Sequence, residues 1–159
     1  MAKHQLLLDD FYDPSFSLIA IHCRLEDYRL AYLLNKYLDL HLARKSQDLD
    51  YKFLVANFPI YEWENTNQQI TWNLVSNVCK REEDSLQSSG SLFDSQEKIQ
   101  KTYHLLPEFK KVDFFVKITT DEDSLDEKHL VNRLQHIPHL ITSYSIDTEQ
   151  IKSKDNLIF

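Results

Sequence analysis

The stretch Val112-Asp113-Phe114-Phe115-Val116-Lys117-Ile118 decides the fold. Val112, Phe114, Val116 and Ile118 alternate with Asp113, Phe115 and Lys117, the period-two signature of a strand with one buried face. Downstream, Ser124 and Glu127 have the spacing of a capping box. Leu130, Val131 and Leu134 give the helix that follows an apolar stripe. Pro138 stops this helix, and Leu140 to Ile146 reads as a second strand. A strand, a helix and a returning strand of these lengths make a βαβ unit.

A second βα unit opens the chain. Phe16 to Ile21 is almost wholly apolar, as expected of a strand buried on both faces. An amphipathic helix from about Leu25 to Leu40 follows, with Leu30, Leu33, Leu34, Tyr37 and Leu38 at helical spacing and Glu26 and Asp27 in its first turn, where the helix dipole favours negative charge. Between the two units lies a hairpin, Phe53 to Glu64 and Ile70 to Lys80, joined by the polar run Asn65–Gln69. Pairing Glu62 with Trp72 sets Ile60 against Leu74 and Phe58 against Ser76. It gathers Leu54, Ala56, Phe58, Ile60, Ile70, Trp72, Leu74 and Val78 on one face, and a one-residue slip scatters them. Pro59 cannot donate to a ladder, so this strand lies at an edge or carries a bulge.

Arg81 to Gln100 breaks the periodicity. Glu82-Glu83-Asp84 and Gln87-Ser88-Ser89-Gly90-Ser91 have little to bury, and Ser95 to His104 reads as a short helix. The expected fold is α+β: an elaborated ferredoxin-like sandwich, with a mostly antiparallel sheet and two main helices on one face. Residues 1–159 form a single domain with a flexible polar insertion at about 81–100.

Composition narrows the chemistry. The 159 residues include 42% hydrophobic and 27% charged side chains, an ordinary water-soluble balance. Acids outnumber bases 25 to 18, for a net charge of -7, which disfavours nucleic acid as a partner. The single glycine, Gly90, rules out a Walker A loop or a dinucleotide fingerprint, both of which bring several glycine N–H groups to phosphate. No apolar run spans a bilayer, and Asp9 and Asp10 interrupt the N-terminal leucines, so a cytoplasmic protein without a membrane partner is expected. Cys23 and Cys79 have no CxxC spacing and read as two reduced, buried thiols.

The strand at 112–118 is entered through Leu106-Pro107-Glu108-Phe109-Lys110-Lys111-Val112-Asp113-Phe114, a proline–acid turn. This stretch closely resembles the signature of the bacterial IPExxxVDY family. Pro107, Glu108, Val112 and Asp113 fit the pattern, Leu106 stands in place of isoleucine, and Phe114 replaces tyrosine. Glu26–Asn35 resembles the family's N-terminal helix. The resemblance implies a small, stand-alone bacterial cytoplasmic protein. It carries over no catalytic residue, and Phe114 lacks the phenol that a hydroxyl-based role at that position would need.

The remaining candidates are weighed against plainer roles. Glu108 and Asp113 are paired carboxylates only if they share a cleft. After a proline turn, a carboxylate more commonly accepts backbone N–H bonds. His136 and His139 are separated by Pro138 and do not have the i, i+4 spacing of a zincin, so no metal and no cofactor are expected. The clusters Asp9, Asp10, Asp13 and Asp121, Glu122, Asp123 lack an EF-hand's glycine and terminal glutamate. Cys23 adjoins His22, but neighbours in a strand point to opposite faces, so they make no dyad. In the register above, Tyr61, Trp63 and Phe115 fall on the polar side of the sheet. There they are an interface for a protein partner or a second copy, or they are covered by the chain's own Leu6-Leu7-Leu8 or Leu157-Ile158-Phe159. The expected function is that of a non-enzymatic interaction or regulatory protein. The alternatives are an RNA-associated protein with an aromatic sheet face and a small-molecule enzyme without a recognisable motif.

Overall fold

A computed structural model describes residues 15–51, 56–84, 98–121 and 125–159 of the chain. The first strand, β1 (Phe16–Cys23), leads into α1 (Asp27–Leu38). Four strands follow: β2 (Ala43–Arg44), β3 (Leu49–Tyr51), β4 (Ala56–Phe58) and β5 (Ile60–Asn65). Next come β6 (Ile70–Ser76), β7 (Val78–Asp84), β8 (Lys98–His104) and β9 (Phe114–Thr120). The chain ends with α2 (Glu127–Gln135), β10 (Leu140–Ile146) and two 3-10 turns.

Among the described residues, six strands form the main sheet in the order β10-β1-β9-β6-β5-β2, and every neighbouring pair is antiparallel. The outer helical connections explain that order. β1 leads through α1 and strands β2 to β5 to β6, and β9 reaches β10 through α2. β9 lies between β1 and β6, and β1 lies between β10 and β9, so the βαβ unit β9–α2–β10 is split by β1. The fold is α+β, with a mostly antiparallel sheet and both helices packed on one face.

The helix-covered core follows from the two amphipathic stripes. Leu30, Ala31, Leu34 and Leu38 of α1 and Leu130 and Leu134 of α2 meet Ile19, Ile21, Leu74, Val116 and Ile118 of the sheet. Local chemistry fixes both helices. The Asn35 side chain donates to the Leu42 carbonyl at 3.0 Å and accepts from the Leu42 N–H at 2.8 Å, closing the end of α1. At the start of α2, the Asp126 carboxylate accepts the His129 N–H at 3.1 Å. The cap is therefore Asp126, and Ser124 of the expected capping box lies outside the described residues. The left-handed turn positions that glycine usually fills are taken by Asp39 (φ 54°), Gln69 (φ 53°) and His139 (φ 72°).

The opposite face of the sheet is a second core. Leu18, Ala20, Val75 and Phe115 project from it and are covered by Ala56 and Phe58, by Leu105, Leu106 and Val112, and by Ile151 and Leu157. This double cover overturns the expected hairpin register. Tyr61 faces Leu74, Trp63 faces Trp72 and Ile60 faces Val75, one residue away from the pairing that alternation suggests. Alternation specifies register where one face is wet; with both faces buried, apolar residues are accepted on either side. Pro59 sits at the break between β4, which pairs with β3 in a separate small sheet, and β5 of the main sheet. Its missing N–H is placed where the ladder stops.

Both described ends of the insertion at 81–100 belong to strands. β7 and β8 pair antiparallel from Val78↔His104 to Asp84↔Lys98. The helix expected over Ser95–His104 is a strand from Lys98 onward, and the centre of the insertion, with Leu92 and Phe93, lies outside the described residues.

Candidate functional site

The proline–glutamate loop is organised by Asn77, a residue that no motif or periodicity marks. Asn77 follows β6 and is fully buried. Its Nδ2 donates to the carbonyls of Phe109 (2.9 Å) and Val112 (2.8 Å), and its Oδ1 accepts the Leu106 N–H at 2.9 Å. Its backbone also binds both flanks: the Asn77 N–H donates to the Asp113 carbonyl at 2.9 Å, and the Asn77 carbonyl accepts the Leu105 N–H at 3.0 Å. One amide side chain thereby satisfies backbone groups of a tight turn that burial removes from water. Pro107 begins the 3-10 turn Pro107–Phe109, where its fixed φ and missing N–H are tolerated.

The two motif carboxylates serve different segments. Asp113 Oδ2 accepts the Cys23 N–H at 3.0 Å and so ties down the end of β1. Glu108 Oε1 accepts the N–H groups of Lys152 (3.0 Å) and Ser153 (2.9 Å), while Oε2 accepts the Ser153 hydroxyl at 2.9 Å. Glu108 therefore fastens the C-terminal segment to the loop. Leu106 and Val112 are buried in the second core, whereas Phe114 is buried under the helices. Val112 and Phe114 thus anchor opposite faces, because β9 begins at Phe114 and Val112 precedes it.

Partial burial pushes the Glu108 carboxyl up, but hydrogen bonds from Ser153, its own backbone and Lys152 outweigh it and hold the group below its ordinary 4.5. A depressed carboxyl stabilises the fold above its unfolded pKa, and the contribution is lost as pH falls through the lower folded value. Acidification through that range should therefore loosen residues 151–159. The Glu108→Gln variant should lack that acid step. Amide exchange followed across the acid range checks both; an unchanged profile in the variant contradicts the clamp.

The expected aromatic interface takes a different form. Phe115 is 0% exposed, at the centre of the second core, with the Phe109 ring edge-on at 6.4 Å. Leu157 and the partly buried Phe159 belong to the same cluster, so the chain's own C-terminus contributes to its cover. Lys117, also buried, donates from Nζ to the Leu157 carbonyl at 2.6 Å and lies 4.5 Å from the Phe159 ring centroid. Tyr61 is buried, and Trp63 is half-buried; both pack on the helix-covered side with His41 edge-on to Trp63 at 5.3 Å. Tyr61, Trp63 and Phe115 therefore do not share an open face of the sheet. The one-residue register shift and the second cover together account for the difference.

The Tyr61 hydroxyl donates to Asp27 at 3.0 Å, and Arg44 lies 3.5 Å from the same carboxylate. Burial first, and the Asp27 carboxylate second, push the Tyr61 phenol from 10.0 up to about 12. A raised phenol stabilises the fold below pH 10.0 and loses that contribution as pH rises toward about 12. Phenolate absorbance should show a late-titrating tyrosine that vanishes in Tyr61→Phe. Titration of Tyr61 at its ordinary value would contradict the buried contact.

His136 Nδ1 lies 2.7 Å from the Asn132 carbonyl, a local contact at the end of α2. His22 Nε2 lies 2.9 Å from the Tyr144 hydroxyl, while Cys23 belongs to the helix-covered core, so the two neighbours diverge. Burial raises the Cys23 thiol pKa. Among the described residues, no three His, Cys, Asp or Glu side chains come together as metal ligands. Asp9, Asp10, Asp13, Glu122 and Asp123 lie outside the described residues. No described helix is long and apolar enough to cross a membrane.

Outside the loop lies a cleft of about 490 Å³ bounded by Pro107, Glu108, Phe109, Lys110, Lys111, Val112 and Tyr144. The motif thus has two sides: an inner one bonded to the chain's own backbone and an outer one lining a surface depression. No family model, curated protein or solved structure matches the chain.

Proposed function

We propose that this protein is a small cytoplasmic interaction or regulatory module without catalytic activity, an elaborated ferredoxin-like sandwich of the IPExxxVDY family that acts by binding another protein. The observation that carries the reading is the use of the motif's polar groups. Glu108 and Asp113, its only carboxylates, accept hydrogen bonds from the chain's own backbone at Lys152, Ser153 and Cys23. A general acid or base needs its carboxyl within reach of a substrate proton; these two hold a scaffold together. The family resemblance at 106–114 adds no catalytic residue. Large apolar side chains remain exposed on the outside, Tyr28 and Tyr32 one turn apart on α1 and Ile141 and Tyr144 on β10, and such residues favour protein contacts.

Affinity purification of the tagged protein from its native host tests this reading. The expected result is a stoichiometric protein partner and the ultraviolet absorbance ratio of a preparation free of nucleic acid. Recovery of RNA, or of the protein alone, would contradict it.

A further inference from the structure

The strand at the end of the main sheet, β10, reads Leu140-Ile141-Thr142-Ser143-Tyr144-Ser145-Ile146 and carries no charge, in a chain with 27% charged residues. It pairs with β1 on one side, and among the described residues no strand pairs with its other side. Soluble proteins usually blunt such an edge with lysine, proline, a central bulge or a very short strand, because unpaired N–H and C=O groups recruit another chain. β10 is 7 residues long, and its one irregularity lies at its start, opposite His22 and Cys23. The Ser143 carbonyl accepts Gln135 Nε2 in a long hydrogen bond of 3.4 Å. Ile141 and Tyr144 are 66% and 40% exposed.

Each of these two side chains forms one wall of a cleft. Tyr144 borders the depression of about 490 Å³ with Glu108, Lys110 and Lys111 on its rim. Ile141 borders another of about 360 Å³, with Arg24, Leu25 and His139. Three positions apart, Ile141 and Tyr144 lie on opposite faces of the sheet, so one cleft is on each face, and the side chains of an added strand would alternate between those two faces.

Charge selects the occupant. The chain carries a net -7, yet the fixed charges of these clefts are Arg24, Lys110 and Lys111 against Glu108, whose oxygens already accept bonds from residues 152 and 153. A second copy paired edge to edge would bring its own uncharged β10, a strand that places no carboxylate beside Arg24, Lys110 and Lys111. We infer that the outer edge of β10 accepts an extended acidic peptide segment of a partner protein as an added antiparallel or parallel strand, with its carboxylates meeting Lys110, Lys111 and Arg24. This rests on the interaction reading above and names the surface and the partner's chemistry.

The test uses the full chain and a fluorescein-labelled synthetic peptide that alternates valine with glutamate, read by anisotropy. Its companions are the same peptide with lysine for glutamate and the glutamate peptide with an N-methylated backbone. The expected result is binding of the glutamate peptide, weakened at least about tenfold by either change. The double variant Lys110→Glu with Lys111→Glu, both exposed and outside the cores, should lose the same factor and gain affinity for the lysine peptide. Equal binding of the two charge types, indifference to N-methylation, or no binding would overturn the inference. So would a stable dimer of the chain alone in which the β10 amides are protected from exchange, since a second copy would then hold the edge. A partner that co-purifies equally well with the double lysine variant would sink this surface and leave the interaction reading standing.

Discussion

Replacing Asn77 with alanine is expected to destabilise the fold by about 4 kcal/mol. The estimate follows from what the truncation strands: the Leu106 N–H and the Phe109 and Val112 carbonyls lose their partner together. A buried polar group left unpaired costs about 1–3 kcal/mol, and three neighbours in one turn relax jointly rather than adding in full. Domains have only about 5–15 kcal/mol in total, so a large share of the stability rests on one amide. Asn77→Asp keeps the acceptor for Leu106 but loses both donors and adds a buried charge, so it should be no milder. Urea denaturation reads the difference; a loss below about 1 kcal/mol in the alanine variant would mean that the loop finds other partners.

Phe115→Ala should cost about 3–5 kcal/mol, the usual range for a buried phenylalanine. Phe115 is 0% exposed, between Ala20 and Val75 on the neighbouring strands and beneath the C-terminal cover. Truncation leaves a cavity bounded by strands that cannot collapse without breaking their ladders. Phe114→Ala, under the helices, belongs to the same range. Trp63 is only half-buried, so Trp63→Ala should cost less. The double change Trp63→Ala with Phe115→Ala should therefore unfold the domain rather than dissociate an assembly. A folded double variant with near-native thermal stability would contradict the second core.

The outer βα units were legible because their signals are local. The alternating Phe114, Val116 and Ile118 and the stripes Leu30, Leu34, Leu38 and Leu130, Leu134 each lie within one element, and helix and strand have different periods. The sandwich class follows from their order. The hairpin register was not legible, since it depends on whether the second face of the sheet is covered, and that cover comes from residues 105–112 and 151–157, distant in sequence. Lys117 and Asp113 made the Phe115 face look polar. In the fold, Lys117 directs its ammonium to the Leu157 carbonyl, and Asp113 turns to the Cys23 N–H. The apolar surplus Leu105, Leu106, Ile151 and Leu157, unused by either helix-covered unit, was the available signal for a second core. Asn77 had none: a lone asparagine after a strand is ordinary, and its side-chain partners lie 29 to 35 residues away. Glu108 was read correctly as a backbone acceptor after a proline turn, although its partners at Lys152 and Ser153 could not be named from sequence.

The central claim is that the proline–glutamate loop is a clamp built into the core rather than a mobile surface loop. Native-state hydrogen exchange of the Leu105, Leu106 and Cys23 amides tests it most directly, because these bind the Asn77 carbonyl, the Asn77 side chain and the Asp113 carboxylate. The account predicts protection approaching that of the amides of β1 and β9, lost at Leu106 in Asn77→Ala before those strands open. Exchange of these three amides in the unaltered protein at the rate of an exposed loop would contradict it.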